Sequence, residues 1–292
     1  MHLPIELNQN VLFVGAGGGF DIFGALPILS DKSGVNFVLA NYSHYVKDIE
    51  YKETSRENYP EGTLDVCYPK YSLGREGVQS VKRALNSIIA KHNIQQIISV
   101  DCGVDSLFHG DEDQHGTILE ETITMTAISL IPNVNKIHVC VGFGTENEEN
   151  LNHFRCLENI SSLIKDNAFY GTSTLLKSDK AFNLYKECCE TAWKNGRISH
   201  IHPKIIAAVE GGFGPSPPEL VSSGDALLAN KSENLPFINP LMALYWFFDL
   251  MTIVKRNRLS EIIKSSNTFV DVKILLKSMP FFNKRSKEIL PL

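Results

Sequence analysis

The chain has 292 residues, 43% hydrophobic and 21% charged, with 28 basic against 33 acidic side chains and a formal net charge of −5. A chain of this size and composition can bury a large core without disulfides or a structural metal, which excludes collagen-like, disordered and membrane-embedded classes. The acidic balance excludes a general electrostatic grip on DNA, RNA or anionic lipid, so no nucleic acid and no membrane is expected as a partner.

The first residues lack a basic stretch followed by an apolar one, so they do not read as a secretory signal. Val11-Leu12-Phe13-Val14 is a short apolar run that enters Gly15-Ala16-Gly17-Gly18-Gly19, the pattern of a buried strand feeding a tight loop. Residues 20–29 are expected as a helix that Pro27 ends or kinks, and residues 35–40 as a second strand. Residues 41–73 are polar and proline-broken and read as loop-rich. Val78, Val81, Leu85, Ile88 and Ile89 then follow three- and four-residue spacing, which predicts a helix with one apolar face.

Residues 96–101 form the next predicted strand. It runs into a loop rich in glycine and acid, followed by a helix over residues 118–130, whose Thr117 and Glu120 have the spacing of a capping box. Residues 137–141 are a strand and 148–165 a helix. Ser178 is placed to cap a helix ending at Asn195-Gly196, Asn239-Pro240 to open another, and the apolar run 241–254 reads as a buried helix. Strands alternating with helices predict βαβ units. The expected fold class is therefore α/β: a Rossmann-like three-layer fold with a mainly parallel sheet and a helical C-terminal extension. One domain over residues 1–292 is expected, its sheet core about 10–175 and its helical part about 176–292. Six cysteines at irregular spacing, without a C-x-x-C pair, fit a reducing cytosol, so a cytoplasmic location is expected.

Two loops carry chemistry. Gly15, Gly17, Gly18 and Gly19 let the backbone approach a ligand, and N–H groups at the start of the following helix can receive a phosphate or carboxylate. The spelling is close to a dinucleotide fingerprint, but Phe20 stands at its sixth position. Asn41 ends the second strand where an acid would hold a ribose hydroxyl. A nicotinamide or flavin dinucleotide is disfavoured for that reason, and so is a methyltransferase. The plain alternative is a turn needed only for close helix–strand packing. Asp21 would cap the helix, or bind a hydroxyl, an amine or a metal beside the pocket.

The second loop is Asp101-Cys102-Gly103-Val104-Asp105-Ser106-Leu107-Phe108-His109-Gly110-Asp111-Glu112-Asp113. Carboxylates gathered this way persist where a cation, a shared proton or hydrogen bonds offset their repulsion. Oxygen-only ligands suit Mg²⁺, Mn²⁺ or Ca²⁺ better than zinc, with Asp101 and Asp105 as candidate metal ligands. His109, Asp111 and Glu112 are acid–base candidates, and the alternative is a solvated turn with Asp111, Glu112 and Asp113 pointing to water. If the two loops flank a topological switch point, Asp21 and Asp101 face one pocket.

Other features point less sharply. The loop at residues 210–218 is either a lid or pocket wall or an irregular connection. Gly171-Thr172-Ser173-Thr174 offers hydroxyls to a phosphate, but Ser173 lies in no nucleophile elbow. His200 and His202 read as surface residues, and Cys188-Cys189 as packing.

With both loops in hand, the chain resembles the family called domain of unknown function 1152. The resemblance rests on the triple glycine followed by Asp21 and Gly24-Ala25-Leu26-Pro27, and on the D-x-G-x-D segment from Asp101 that ends in Gly110-Asp111-Glu112. It implies a Rossmann-like fold and a shared pocket, and supplies no reaction. The expectation is an enzyme, a hydrolase or lyase, acting on a small anionic or nucleotide-like metabolite with Mg²⁺ or Mn²⁺. The alternative is a non-catalytic module that binds such a ligand or a protein, and a homo-oligomer is left open.

Overall fold

A computed structural model describes residues 1–30, 32, 34–43, 51–53, 60–64, 66–113, 116–146, 151–197, 199–215 and 237–277. Its strands are β1 Asn10–Gly15, β2 Asn36–Tyr42, β3 Tyr51–Glu53, β4 Lys70–Leu73, β5 Gln96–Cys102, β6 Asn135–Val141, β7 Phe169–Thr174, β8 Gly214–Pro215, β9 Phe237–Ile238 and β10 Leu244–Asp249. Its helices are α1 Leu26–Leu29, α2 Val78–His92, α3 Leu119–Ser129, α4 His153–Lys165, α5 Lys180–Lys194, α6 His202–Val209, α7 Leu250–Arg256, α8 Arg258–Ile263 and α9 Phe269–Lys277. No helix among the described residues is long and apolar enough to cross a membrane.

The main sheet has the order β3-β4-β2-β1-β5-β6-β10-β7, and β8 pairs with β9 in a separate ribbon. The pairings β4–β2, β2–β1, β1–β5 and β5–β6 are parallel, while β3 and β10 run against their neighbours. The expected α/β class with a mainly parallel sheet and C-terminal helices is what forms. Strand β1 shows why its run is continuously apolar. Leu12 and Val14 enter the core with α2, α3 and α4, whereas Val11 and Phe13 enter the core with α1, α5 and α6. A parallel strand covered on both faces has no solvent side to mark with polar residues.

Helix α2 buries Val78, Val81, Ala84, Leu85 and Ile88, the face its spacing predicts. Each of the valine, leucine and isoleucine side chains contributes roughly 1.5–3 kcal/mol of burial. Its N-terminal N–H groups are met by the turn between α8 and α9: Gly77 N donates to Asn267 O at 2.9 Å, Val78 N to Ser266 Oγ at 3.0 Å and Gln79 N to Ser266 O at 2.8 Å. Gly77 must be glycine for this contact, because a Cβ there would lie 2.8 Å from backbone atoms of Ser266 and Asn267. Gly77→Ala is expected to cost about 1–3 kcal/mol as the turn is pushed away. An unchanged urea midpoint in the variant would contradict this.

Three sequence expectations are corrected. The apolar run 241–254 is not one helix: Pro240–Ala243 is a 3-10 turn, β10 follows, and only Leu250–Arg256 is α-helical. Its aromatic alternation explains this, since Tyr245 and Phe247 enter one core while Phe248 and Trp246 pack against the other. Residues 20–29 give a 3-10 turn, Asp21–Ala25, and only the four residues of α1. Thr117 and Glu120 make no capping box. Thr117 donates instead to Asp105 from its N–H and its hydroxyl, and Glu120 pairs with Arg75 at 2.7 Å. The stretch read as loop-rich carries β3 within it and β4 at its end. Helix α4 begins at His153, capped by Asn152, which accepts from Arg155 N; residues 147–150, where the helix was expected to begin, lie outside the described residues.

Candidate functional site

The chain passes from β2 outward to β4, then returns through α2 to β5 on the far side of β1. The sheet therefore has its switch point between β1 and β5, where Gly15 lies opposite Val100. Loops after these two strands leave the same sheet edge side by side, the position at which open α/β sheets take ligands.

Asp21 ties the two loops together. Its Oδ2 accepts from Gly17 N at 2.5 Å and its Oδ1 from Cys102 N at 3.3 Å, while Ala16 N donates to Val100 O at 2.8 Å. Gly18 (φ 96°) and Gly19 (φ 61°) supply the left-handed turn that brings the chain back to Asp21. The other two glycines make space. A Cβ on Gly15 would collide with the Asn41 side chain, and one on Gly17 with the carboxylate of Glu121 from α3. The ground directly over the loop is thus held by carboxylates. Only a short 3-10 turn follows, so the long helix dipole expected to receive an anion is missing.

Four acids converge here: Asp21, Asp101, Asp105 and Glu121 are 8%, 3%, 2% and 6% exposed. Asp101 Oδ2 accepts from the N–H and the hydroxyl of Ser106, and Asp105 Oδ2 from Thr117 N at 3.0 Å. Burial first, and the Asp101 charge second, hold the Asp21 carboxyl well above its usual range. Burial followed by Asp105, Asp101 and Asp21 does the same for Glu121. Glu121 Oε2 is buried with no hydrogen-bond partner among the described residues. Such a group must be a protonated acid or face a cation that the hydrogen bonds do not supply.

Further groups buttress the cluster. Asn41 donates to Gly19 O at 3.0 Å and to Glu61 Oε2 at 3.3 Å, and Glu61 also accepts from the Ser72 hydroxyl. Burial raises the Glu61 carboxyl to about 7. Glu146 Oε2 accepts from Val104 N at 2.7 Å, where the absent side chain of Gly103 leaves it room. His202, expected at the surface, is fully buried: its Nε2 meets Phe20 O at 3.0 Å and its Nδ1 meets Tyr185 Oη at 2.5 Å. Phe20 O can only accept, so Nε2 carries the proton and Nδ1 accepts from the tyrosine. Burial lowers this imidazole to about 4 and keeps it neutral.

His109, Asp111 and Glu112 form a second group, each with one ligand atom within 4.8 Å of the others. Glu112 accepts from His109 N, Gly110 N and Asn159 Nδ2 at 2.8–2.9 Å, and Asp111 pairs with Arg258 at 2.8 Å. Asp113 is exposed, as the solvated-turn reading requires, but Asp111 and Glu112 are buried, which that reading does not expect. Cys188 and Cys189 are buried in the core, the packing role expected of them. Of the loop at 210–218, residues 216–218 lie outside the described residues.

Sequence reasoning missed Glu121, Ser106 and His138. Glu121 hides inside a helix whose neighbours Thr122, Thr124 and Thr126 are also buried, and an acid at an inward-facing helical position was the available signal. His138 stands alone among apolar residues in β6, where a polar side chain in a doubly covered strand is itself a signal.

The model of a family described as protein of unknown function (DUF1152) matches residues 72–214. That span holds the acidic loop, Glu121 and His138, while the glycine loop precedes it. No curated protein and no solved structure matches the chain.

Proposed function

We propose that the chain is a divalent-cation-dependent enzyme, a hydrolase or lyase, acting on a small anionic or nucleotide-like metabolite at the switch point between β1 and β5. The convergence of Asp21, Asp101, Asp105 and Glu121, with Glu121 Oε2 buried and unpartnered, carries this reading. An anionic ligand cannot approach four carboxylates unaided. It can approach them through Mg²⁺ or Mn²⁺, both of which take oxygen ligands and leave positions for a substrate oxygen or a water. When bound, such a cation supplies Lewis acidity and a more acidic water. Asp21, Asp101, Asp105 and Glu121 would hold it. Gly18 and Gly19 would keep the approach free of side chains, and His109 with Asp111 and Glu112 remains the candidate acid–base group.

Melting temperature, read for a panel of nucleotides and sugar phosphates with and without Mn²⁺ or Mg²⁺, tests the reading. A cation at about 100 times its dissociation constant should add about 2.7 kcal/mol of stability. An anionic ligand should stabilise further only when the cation is present. The reading fails if neither cation moves the melting temperature. It also fails if Asp101→Asn and Asp21→Asn leave every ligand response intact. Product formation in the same panel separates the enzyme from a binding module that senses its ligand without turnover.

A further inference from the structure

Strand register builds a second donor set behind the carboxylates. His138 and Cys140 alternate on β6 and so share a face, and Asp101 on β5 is the direct cross-strand partner of Cys140. One ligand atom from each lies within 4.8 Å of the others, and all three residues are buried. Cys140 Sγ is 3.2 Å from His138 Nε2 and 3.9 Å from Asp101 Oδ2. Ser106 closes the group from the turn after β5. Its hydroxyl lies 2.8 Å from His138 Nε2 and 3.3 Å from Cys140 Sγ, and it hydrogen-bonds to Asp101 Oδ2.

Ligands at about 2.0–2.3 Å from a tetrahedral zinc ion stand roughly 3.3–3.7 Å from one another. The separations here bracket that range, so a small contraction or expansion of side chains already side by side would meet it. The charges also balance, because one thiolate and one carboxylate neutralise a divalent ion in a core that could not hold it otherwise. The imidazole contributes a neutral nitrogen to that balance. Nε2 is the His138 nitrogen turned toward the hydroxyl and the thiol, while Nδ1 is buried with no hydrogen-bond partner among the described residues.

We propose that Asp101, His138 and Cys140 form a buried zinc site, with the Ser106 hydroxyl at the fourth position. Zinc entry forms the Zn–S bond as the Cys140 thiol loses its proton, and that proton leaves to solvent. The site goes beyond the divalent-cation reading above. It uses a soft thiolate and an imidazole where that one uses oxygens alone, and it takes Oδ2 of Asp101, the oxygen that accepts from Ser106.

Metal analysis and Co²⁺ substitution of the full chain test it. Protein from zinc-supplemented culture should carry about one zinc per chain, and the Co²⁺ form should show a thiolate-to-cobalt charge-transfer band with strong visible bands of a four-coordinate ion. Cys140→Ser should abolish the charge-transfer band, and Cys102→Ser, a buried thiol outside the cluster, should keep it. Should Cys140→Ser fail to fold, the wild type alone decides. Substoichiometric zinc, together with a Co²⁺ form that lacks the thiolate band, overturns the site. A Mn²⁺ response that persists in His138→Gln leaves the carboxylate reading standing whichever way this experiment falls.

Discussion

The Glu121→Gln protein is expected to melt several degrees above the wild type near pH 8 without divalent cations, and to gain little when Mn²⁺ is added. Glu121 lies at 6% exposure among Asp21, Asp101 and Asp105, and its Oε2 has no hydrogen-bond partner among the described residues. Near pH 8 the metal-free fold must either hold a buried like charge or keep a proton on the carboxyl, and both cost stability. The amide keeps the shape and the place over Gly17, removes the charge and offers two N–H donors to neighbouring carboxylates. Relief on the order of 1–3 kcal/mol follows, which for a chain of this size is roughly 2–4 °C per kcal/mol. The same change deletes a cation ligand, so the Mn²⁺ response should shrink by most of its size. Glu120→Gln is the control, because Glu120 pairs with the half-exposed Arg75 and its loss should stay within about 1 kcal/mol. A lower melting temperature in Glu121→Gln with the Mn²⁺ response retained would contradict both this and the role given to the cluster.

Much of this site could be read in the chain because it lies where strand ends meet loops. Val11-Leu12-Phe13-Val14 before five small residues, and Gln96-Ile97-Ile98-Ser99-Val100 before Asp101, each announce a strand end. A parallel sheet then puts those ends on one edge. Adjacency of β1 and β5 is only a condition at the level of the sequence; the strand order fulfils it and brings the Asp101 charge to bear on Asp21. What could not be read depends on contacts that have no local signal. Glu121 comes to Gly17 because α3 packs across the sheet edge, a matter of tertiary packing. Thr117 and Glu120 carry the local pattern of a capping box, but Asp105 offers Thr117 a buried carboxylate and Arg75 draws Glu120 outward, so the local rule loses. The run at 241–254 was misleading because its apolar residues satisfy helix and strand alike. Only a gap between β6 and β7 decides for a strand, and that gap is made by residues about a hundred positions earlier.

Metal-free stability should fall as the pH rises from about 4.5 to 8, gently at first and more steeply once the opposing histidine contribution is complete. Glu61 carries a carboxyl raised from 4.5 to about 7, and those of Asp21 and Glu121 are also held high. The folded chain therefore binds these protons more tightly than the unfolded chain. Raising the pH from about 4.5 to 7 removes stability, by up to about 3 kcal/mol for Glu61 alone. His138 and His202 act in the opposite sense. Burial lowers them from 6.5 to about 3 and about 4, so their contribution is complete above 6.5 and is lost as the pH falls below it. Between 4.5 and 6.5 the two histidines offset the acids only in part. Well above 6.5 the histidines no longer titrate in either state, and the acids alone set the slope. Urea midpoints across this range in a chelating buffer measure it, and stability that climbs from pH 6.5 to 8 would contradict the assignment of buried, proton-holding carboxylates. Glu61→Gln should remove only the part that ends near pH 7. Saturating Mn²⁺ should reverse the slope above that pH, because an ion held by ionised carboxylates favours the form that has lost the protons, and so stabilises the fold most where the metal-free protein is weakest.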